Sequence, residues 1–291
     1  MKVPFYKHRL SGDDAEAIAG VLDTPILTSG DIGRGVEGQL RDYFSVPNAL
    51  LTNSWTNGAL ATLLALGVGP DDEVIVPAMT FIATANVVEL LGAKPVFADV
   101  CPDTMLMTAQ TVRTCLSDRT RAVIPVHLYG QMTDIAALRA ITGPDIAIIE
   151  DCAHCFEGTL NGQRPGVHSD AAIFSFYATK NVTCGEGGAI ITRDDALAEK
   201  LNRTRLHGMS AGAADRFRND KYNHWDMECM GVKANLPDLL AALLPPQIEA
   251  VDKTLERREE VARRYELALG GDERLRFQAT VSGAKHARHL F

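Results

Sequence analysis

Lys180 lies at the centre of the stretch Ser175-Phe176-Tyr177-Ala178-Thr179-Lys180-Asn181-Val182-Thr183-Cys184-Gly185-Glu186-Gly187-Gly188. An apolar run leads into it and glycines close it. A lysine at the turn after a buried strand contributes little to packing, but its amine has a specific chemistry. Held in a semi-apolar pocket, it loses its proton and condenses with a carbonyl to a Schiff base. Asp151 follows a second apolar run, 145–150. An acid there either caps the next turn or offers a fixed negative charge to a cationic group. Ser54 and Thr56 open a helical pattern, where small hydroxyls act as caps or, with the free amides of a helix start, face a phosphate.

Together these residue types meet the demands of pyridoxal phosphate. That cofactor needs a lysine to hold it and move protons, which is Lys180. It needs a carboxylate on its pyridine nitrogen, which keeps the ring an electron sink, and Asp151 qualifies. Ser54, Thr56 and Ser175 can build a phosphate cup, and Phe81 supplies a flat face for the ring. Each feature alone is weak, and the combination is what points to the cofactor.

The elements that must position these residues alternate in type. Helical patterns cover about 9–23, with Ser11 as N-cap, and 36–44, separated by a glycine-bearing loop at 24–35. A short strand at 49–52 precedes Ser54, and a helix follows at 58–67. Strand-like runs at 73–76, 94–99, 121–126 and 145–150 are interleaved with helical runs near 81–91, 109–116 and 134–140. Such alternation predicts an α/β fold, a mostly parallel sheet with helices on both faces. Ligands of such sheets sit beyond the carboxyl ends of the strands. A strand at 170–176 delivers Lys180, one at 189–192 returns, and a helix at 194–206 starts from Asp194 or Asp195. Residues 207–235 read as a long polar loop with functional character. A helix at 236–244 is broken by Pro245-Pro246. A long helix, 247–269, carries Ile248, Val251, Leu255, Val261 and Tyr265 on its apolar side. It leads into a strand at 275–281 and a final apolar strand at the terminus. The expected division is a large domain over 1–246 and the opening of a small one over 247–291.

The chain has 291 residues, 46% hydrophobic and 23% charged, as in an ordinary globular protein. A net charge of -8 argues against a nucleic-acid surface or basic membrane anchor. No run reaches the roughly 18 apolar residues of a membrane span, and residues 1–8 lack a signal peptide's apolar core. Six scattered cysteines fit reduced thiols and a cytoplasmic setting. Cys152-Ala153-His154-Cys155 lacks the second pair of a zinc site, so no metal is expected. Gly185-Glu186-Gly187-Gly188 lacks a nucleotide-loop spacing and reads as a tight turn. His127 reads as a histidine satisfied near a strand end. His207 and His224-Trp225 fit a substrate border, a lid or a subunit contact equally, and His286 and His289 carry no assignment.

The sequence resembles the sugar-nucleotide aminotransferases of the DegT/StrS family, fold-type I pyridoxal phosphate enzymes. The resemblance rests on Pro77-Ala78-Met79-Thr80-Phe81-Ile82-Ala83-Thr84-Ala85-Asn86, Gly92-Ala93-Lys94-Pro95-Val96-Phe97-Ala98-Asp99-Val100 and Pro125-Val126-His127-Leu128-Tyr129-Gly130-Gln131. It is strongest in Ile149-Glu150-Asp151-Cys152-Ala153-His154 and in residues 174–181 with the glycines that follow. It implies Lys180 as Schiff-base lysine and general acid/base, and Asp151 on the pyridinium nitrogen. His154 falls near the cofactor's ring oxygen. Ser54, Trp55 and Thr56 fall in the phosphate loop, with Ser175 adding a hydroxyl, and Phe81 stacks on the ring. Asn235 reaches the phosphate of a neighbouring subunit, which implies a homodimer. The implied reaction moves an amino group from an amino acid, usually glutamate, to a keto-sugar linked to UDP or dTDP. Trp55 and Ala234 depart from the family pattern, and the family's C-terminal domain runs on past the point that Phe291 matches. The chain therefore reads as C-terminally shortened, and the alternative expectation is an impaired cofactor-binding homologue acting as a dimer partner.

Overall fold

A computed structural model describes Pro4 and residues 6–210 and 226–291. In chain order the first elements are α1 (Gly12–Leu22), α2 (Asp31–Phe44), β1 (Asn48–Thr52), α3 (Trp55–Ala65), β2 (Glu73–Pro77), α4 (Ala83–Glu89), β3 (Lys94–Ala98), α5 (Ala109–Arg113) and β4 (Thr120–Val123). After a 3-10 turn at Leu128–Gly130 come α6 (Ile135–Thr142), β5 (Ala147–Asp151), β6 (Thr159–Leu160), β7 (Ala171–Ser175), β8 (Gly188–Thr192), α7 (Asp195–Thr204), α8 (Asp238–Ala241), α9 (Pro245–Leu269) and β9 (Ala284–Lys285).

The chain divides into two compact units, Met1–Gly67 with Ser175–Ile248, and Val68–Phe174 with Glu249–Phe291. In the first, β1 and β8 pair antiparallel from Asn48↔Thr192 to Thr52↔Gly188. Helices α2, α3 and α7 pack on this pair, burying Leu40, Leu50, Leu63, Ile190 and Leu201. In the second unit the strand order is β7-β5-β4-β2-β3, and every pairing is parallel. Ile75, Val123 and Ile148 of adjacent strands pack against Val112 of α5 and Ile135 and Leu138 of α6. Their continuous apolar character is what a parallel strand buried by helices requires. The mostly parallel α/β architecture expected from the alternating pattern is the one observed. Residues 249–291 thus cluster with 68–174, and 175–248 with 1–67.

Several boundaries differ from the sequence reading, each for a local reason. The expected loop at 24–35 ends early because α2 starts at Asp31. Asp238, 208 residues from Gly30, accepts the amides of Gly30 (2.9 Å), Ile32 (3.3 Å) and Gly33 (3.0 Å) and caps this helix from outside. A Cβ on Gly30 would lie 2.5 Å from the same carboxylate and one on Gly33 3.0 Å from it, so these two of the glycines that suggested a loop are there to admit the cap. Helix α3 starts at Trp55 rather than residue 58, with Ser54 as its N-cap. Pro245-Pro246 opens α9 instead of breaking a helix, since the first turn needs no amide donors. The helix before it contracts to Asp238–Ala241. On α9, Ile248, Val251 and Leu255 are buried as expected, but Val261 and Tyr265 are 38% and 50% exposed.

Residues 275–281 form no strand. Their backbone is bonded by the Asp103 carbonyl, which accepts the Ala279 amide, and by the Gln131 side chain, which accepts from Val281 and donates to Ala279. The terminal 289–291 is no strand either. Its His289 and Leu290 amides converge on the Tyr129 carbonyl. Within the long polar segment, His224 and Trp225 lie outside the described residues.

Candidate active site

Lys180 sits in the first unit on a loop with little freedom. Its amide donates to the Tyr177 carbonyl at 2.9 Å. Phe176 is fully buried. Its amide donates to Gly187 at 2.8 Å and its carbonyl accepts the Cys184 amide at 3.0 Å and the Thr183 hydroxyl at 3.1 Å. From α9, the Gln247 amide group bonds both backbone groups of Thr183, at 3.1 and 2.7 Å. The turn closes through Gly185, at φ +86°, a conformation glycine adopts at no steric cost. The lysine itself is half-buried. Ser175 enters the same loop, and its hydroxyl accepts the Tyr177 amide at 3.3 Å.

Ser54 caps α3, its Oγ accepting the Asn57 amide at 3.1 Å. An open pocket of about 530 Å³ lies here, lined among others by Thr28, Ser54, Asn57, Glu186, Lys233 and Asn235. Asn235 donates to the Ser29 hydroxyl at 2.7 Å, and its Oδ1 is buried without a hydrogen-bond partner among the described residues. The Nε1 of the buried Trp55 is in the same condition. Buried polar atoms left over in this way are what a ligand or partner atom completes. The first turn of α3, a serine hydroxyl and Lys233 among the lining residues suit a phosphate. Thr56 follows half-buried in the same turn.

In the second unit, Asp151 ends β5 and is buried. Its Oδ1 accepts the Ala153 amide at 3.0 Å and its Oδ2 the Thr84 hydroxyl at 3.5 Å. Thr84 in turn bonds Thr80 at 2.8 Å. Phe81, between those threonines in sequence, is 75% exposed, so its ring is open to contact. His154 is half-buried. Its Nδ1 accepts the Tyr129 amide at 3.3 Å, and its ring stacks on His289 with centroids 4.4 Å apart.

Glu150, the neighbour of Asp151 on β5, faces a different environment, as alternation along a strand requires. It is 1% exposed and accepts from His127 Nε2 (2.7 Å), the Gly166 amide (2.7 Å) and the Ser169 hydroxyl (2.5 Å). His127 Nδ1 accepts the Thr133 amide at 3.0 Å. Ligand atoms of His127, Glu150 and Cys152 lie within 4.8 Å of one another, and those of His127 and Glu150 are engaged in this hydrogen-bond network. Burial, followed by the Glu150 charge, raises the Cys152 thiol well above its usual value. Burial and then Glu157 do the same to Cys155, and burial with Glu186 pushes Cys184 up to about 12. All three remain thiols, which disfavours thiolate chemistry there.

The first unit thus gathers Ser54, Trp55, Thr56, Ser175, Lys180 and Asn235, with Ser54 and Asn235 on one pocket. The second gathers Phe81, Asp151 and His154, with Thr84 tying the segment after Phe81 to Asp151. Sequence reasoning missed Thr84, Gln247 and Asp238. The signal for Thr84 was its place one helical turn after Thr80. Gln247 and Asp238 act across long sequence separations and left no local trace.

The DegT/DnrJ/EryC1/StrS aminotransferase family model matches residues 9–291. DesV of S. venezuelae, solved in complex with a ketimine intermediate, is 33% identical, with a TM-score of 0.92, all of this chain covered and 77% of that one. Spr1654 of Streptococcus pneumoniae, assigned as a sugar aminotransferase and solved in its PMP form, is 27% identical, with a TM-score of 0.92 and coverages of 100% and 78%. The aminotransferase TlmJ of Streptoalloteichus hindustanus is 26% identical, with a TM-score of 0.91 and coverages of 99% and 77%. The chain therefore belongs to the DegT/DnrJ/EryC1/StrS aminotransferase family, whose members are pyridoxal phosphate-dependent sugar aminotransferases of fold type I.

Proposed function

We propose that this protein transfers an amino group from an amino acid, L-glutamate first among them, to a keto-sugar carried on UDP or dTDP. The observation that carries the reading is Lys180, half-buried on a loop whose backbone is pinned on both sides. Pyridoxal phosphate, when bound, supplies the electron sink for the chemistry at the donor's α-carbon. Lys180 Nζ would hold the cofactor through a Schiff base and would serve as the general acid/base of the reaction, a role worth about 10²–10⁴-fold. Asp151, its carboxylate oriented by Ala153 and Thr84, holds the ring nitrogen protonated. Ser54, Trp55, Thr56 and Ser175 take the phosphate through hydroxyls and helix-start amides. Phe81 covers the ring and His154 meets the ring oxygen. Asn235 serves the phosphate of a second subunit, so the working form is a homodimer in the cytoplasm.

The test is optical. Protein mixed with pyridoxal phosphate develops the visible absorption of the lysine-bound cofactor, and glutamate bleaches it. Lys180→Ala lacks the band from the start. Equal bands in both proteins would remove Lys180 from its role.

A further inference from the structure

His289 was left without a role by the sequence, yet it contacts a proposed cofactor residue directly. Its ring lies 4.4 Å from that of His154, with 29° between the planes. On the same segment, the His289 amide donates to the Tyr129 carbonyl at 3.1 Å and the Ala287 amide to Gly130 at 2.7 Å. Tyr129 answers from the other direction, donating its own amide to His154 Nδ1 at 3.3 Å. Its ring also lies parallel to His154, 12° between planes and 6.4 Å between centroids. The backbone that achieves this is unusual. Tyr129 has φ +61° and Gly130 φ +114°, the left-handed region that a non-glycine residue enters only when its surroundings hold it there.

A nitrogen that accepts from a backbone amide carries no proton, so neutral His154 bears its hydrogen on Nε2. We propose that His289 is a positioning residue for the aminotransferase reaction: stacked on His154, it fixes the plane of that imidazole, and the Tyr129 amide fixes its Nε2–H tautomer. His154 therefore meets the cofactor as a hydrogen-bond donor of set direction. The His289 ring restrains rotation that would carry Nδ1 away from Tyr129, while the 287–290 backbone holds Tyr129 in its left-handed conformation. This inference rests on the reading of His154 as a cofactor residue.

The experiment has two arms. In the first, ¹⁵N–¹H correlation spectra of the cofactor-free protein report the His154 tautomer. The wild type and His289→Phe, which keeps a flat ring, show the Nε2–H form, and His289→Ala shows a mixture. In the second, pyridoxal phosphate is titrated into each protein. Aromatic stacking of this kind is worth a few-fold to about tenfold in an equilibrium, so His289→Ala loses roughly threefold to tenfold in cofactor affinity and His289→Phe recovers it. A single Nε2–H tautomer and wild-type affinity in a folded His289→Ala overturn the proposal. Should the alanine variant not fold, His289→Leu against His289→Phe decides between bulk and flatness, and equal behaviour of the two overturns it. If the wild type itself lacks a Lys180-dependent visible band, the functional reading fails, whereas the tautomer arm still decides what His289 does to His154.

Discussion

Replacing Asp238 by alanine tests how the pocket at the start of α3 is held. The carboxylate accepts amides at 2.9, 3.0 and 3.3 Å from the start of α2. The Asp238 amide donates to Thr28 at 2.7 Å, and Asn235 donates to Ser29. Thr28 and Asn235 both line the pocket, so residues 28–33 and 235–238 form one clamp. An ordinary exposed cap is worth about 0.5–2 kcal/mol. Here Gly30 and Gly33 are buried, and hydrogen bonds to a charged group contribute about 1.5–3 kcal/mol each. Allowing the longer Ile32 contact little weight, and some rehydration of α2's first turn, Asp238→Ala should cost about 3 kcal/mol. Asp238→Asn, which keeps one acceptor oxygen, should cost about half of that by the same reasoning. A loss of this size is a large share of the roughly 5–15 kcal/mol that holds a folded domain. Urea unfolding followed by far-UV circular dichroism gives the stability change, and a pyridoxal phosphate titration below the transition gives the affinity. A loss under about 1 kcal/mol in the alanine variant, the value of an exposed cap, or an unchanged affinity, would refute the clamp.

Three further perturbations test other parts of the molecule. Asp151→Asn keeps an acceptor for the Ala153 amide but loses the charge, so it should remain folded by circular dichroism while turnover falls roughly a hundredfold or more. Unimpaired turnover would remove Asp151 from the ring nitrogen. Glu73 is held at about 2 by the Ser117 hydroxyl first and the Arg119 guanidinium next. Because the folded value is depressed, its stabilising effect is complete above the ordinary 4.5 and is lost as pH falls toward about 2. Glu73→Gln should therefore flatten the melting temperature against pH across that window. Gly130→Ala adds a Cβ at φ +114° that meets the Arg288 amide at 3.0 Å and the His154 carbonyl at 3.1 Å. It should cost about 1–3 kcal/mol by thermal unfolding, and a neutral result would mean that the 128–130 turn gives way freely.

The sequence made the alternating fold legible because period and length suffice to separate buried parallel strands from the helices between them. Lys180 stood out for a related reason: an amine after a buried strand breaks the pattern its neighbours follow. What stayed hidden acts at long range. Nothing near Gly30 announces that Asp238 caps α2, so glycines admitting a carboxylate looked like a loop. The segment 275–281 has strand-like composition, but its hydrogen bonds go to the Gln131 side chain and the Asp103 carbonyl, and composition does not encode which partner is nearby. His289 is likewise silent in sequence, since its role is defined by the ring it stacks on.

Glu150 and Asp151 are adjacent carboxylates on one strand with unlike partners. A slip of β5 by a single residue would either put Asp151, too short for His127, Gly166 and Ser169, in the place of Glu150 with Cys152 following it, or put Glu150 in the place of Asp151 and Ile149 into the buried network. The buried network around Glu150 therefore works as a registration pin. It recognises one side chain length at one position and indexes the whole strand from it, so that the placement of residue 151 follows from the fit of residue 150. Selection for the reaction should then be felt at positions that never touch a substrate.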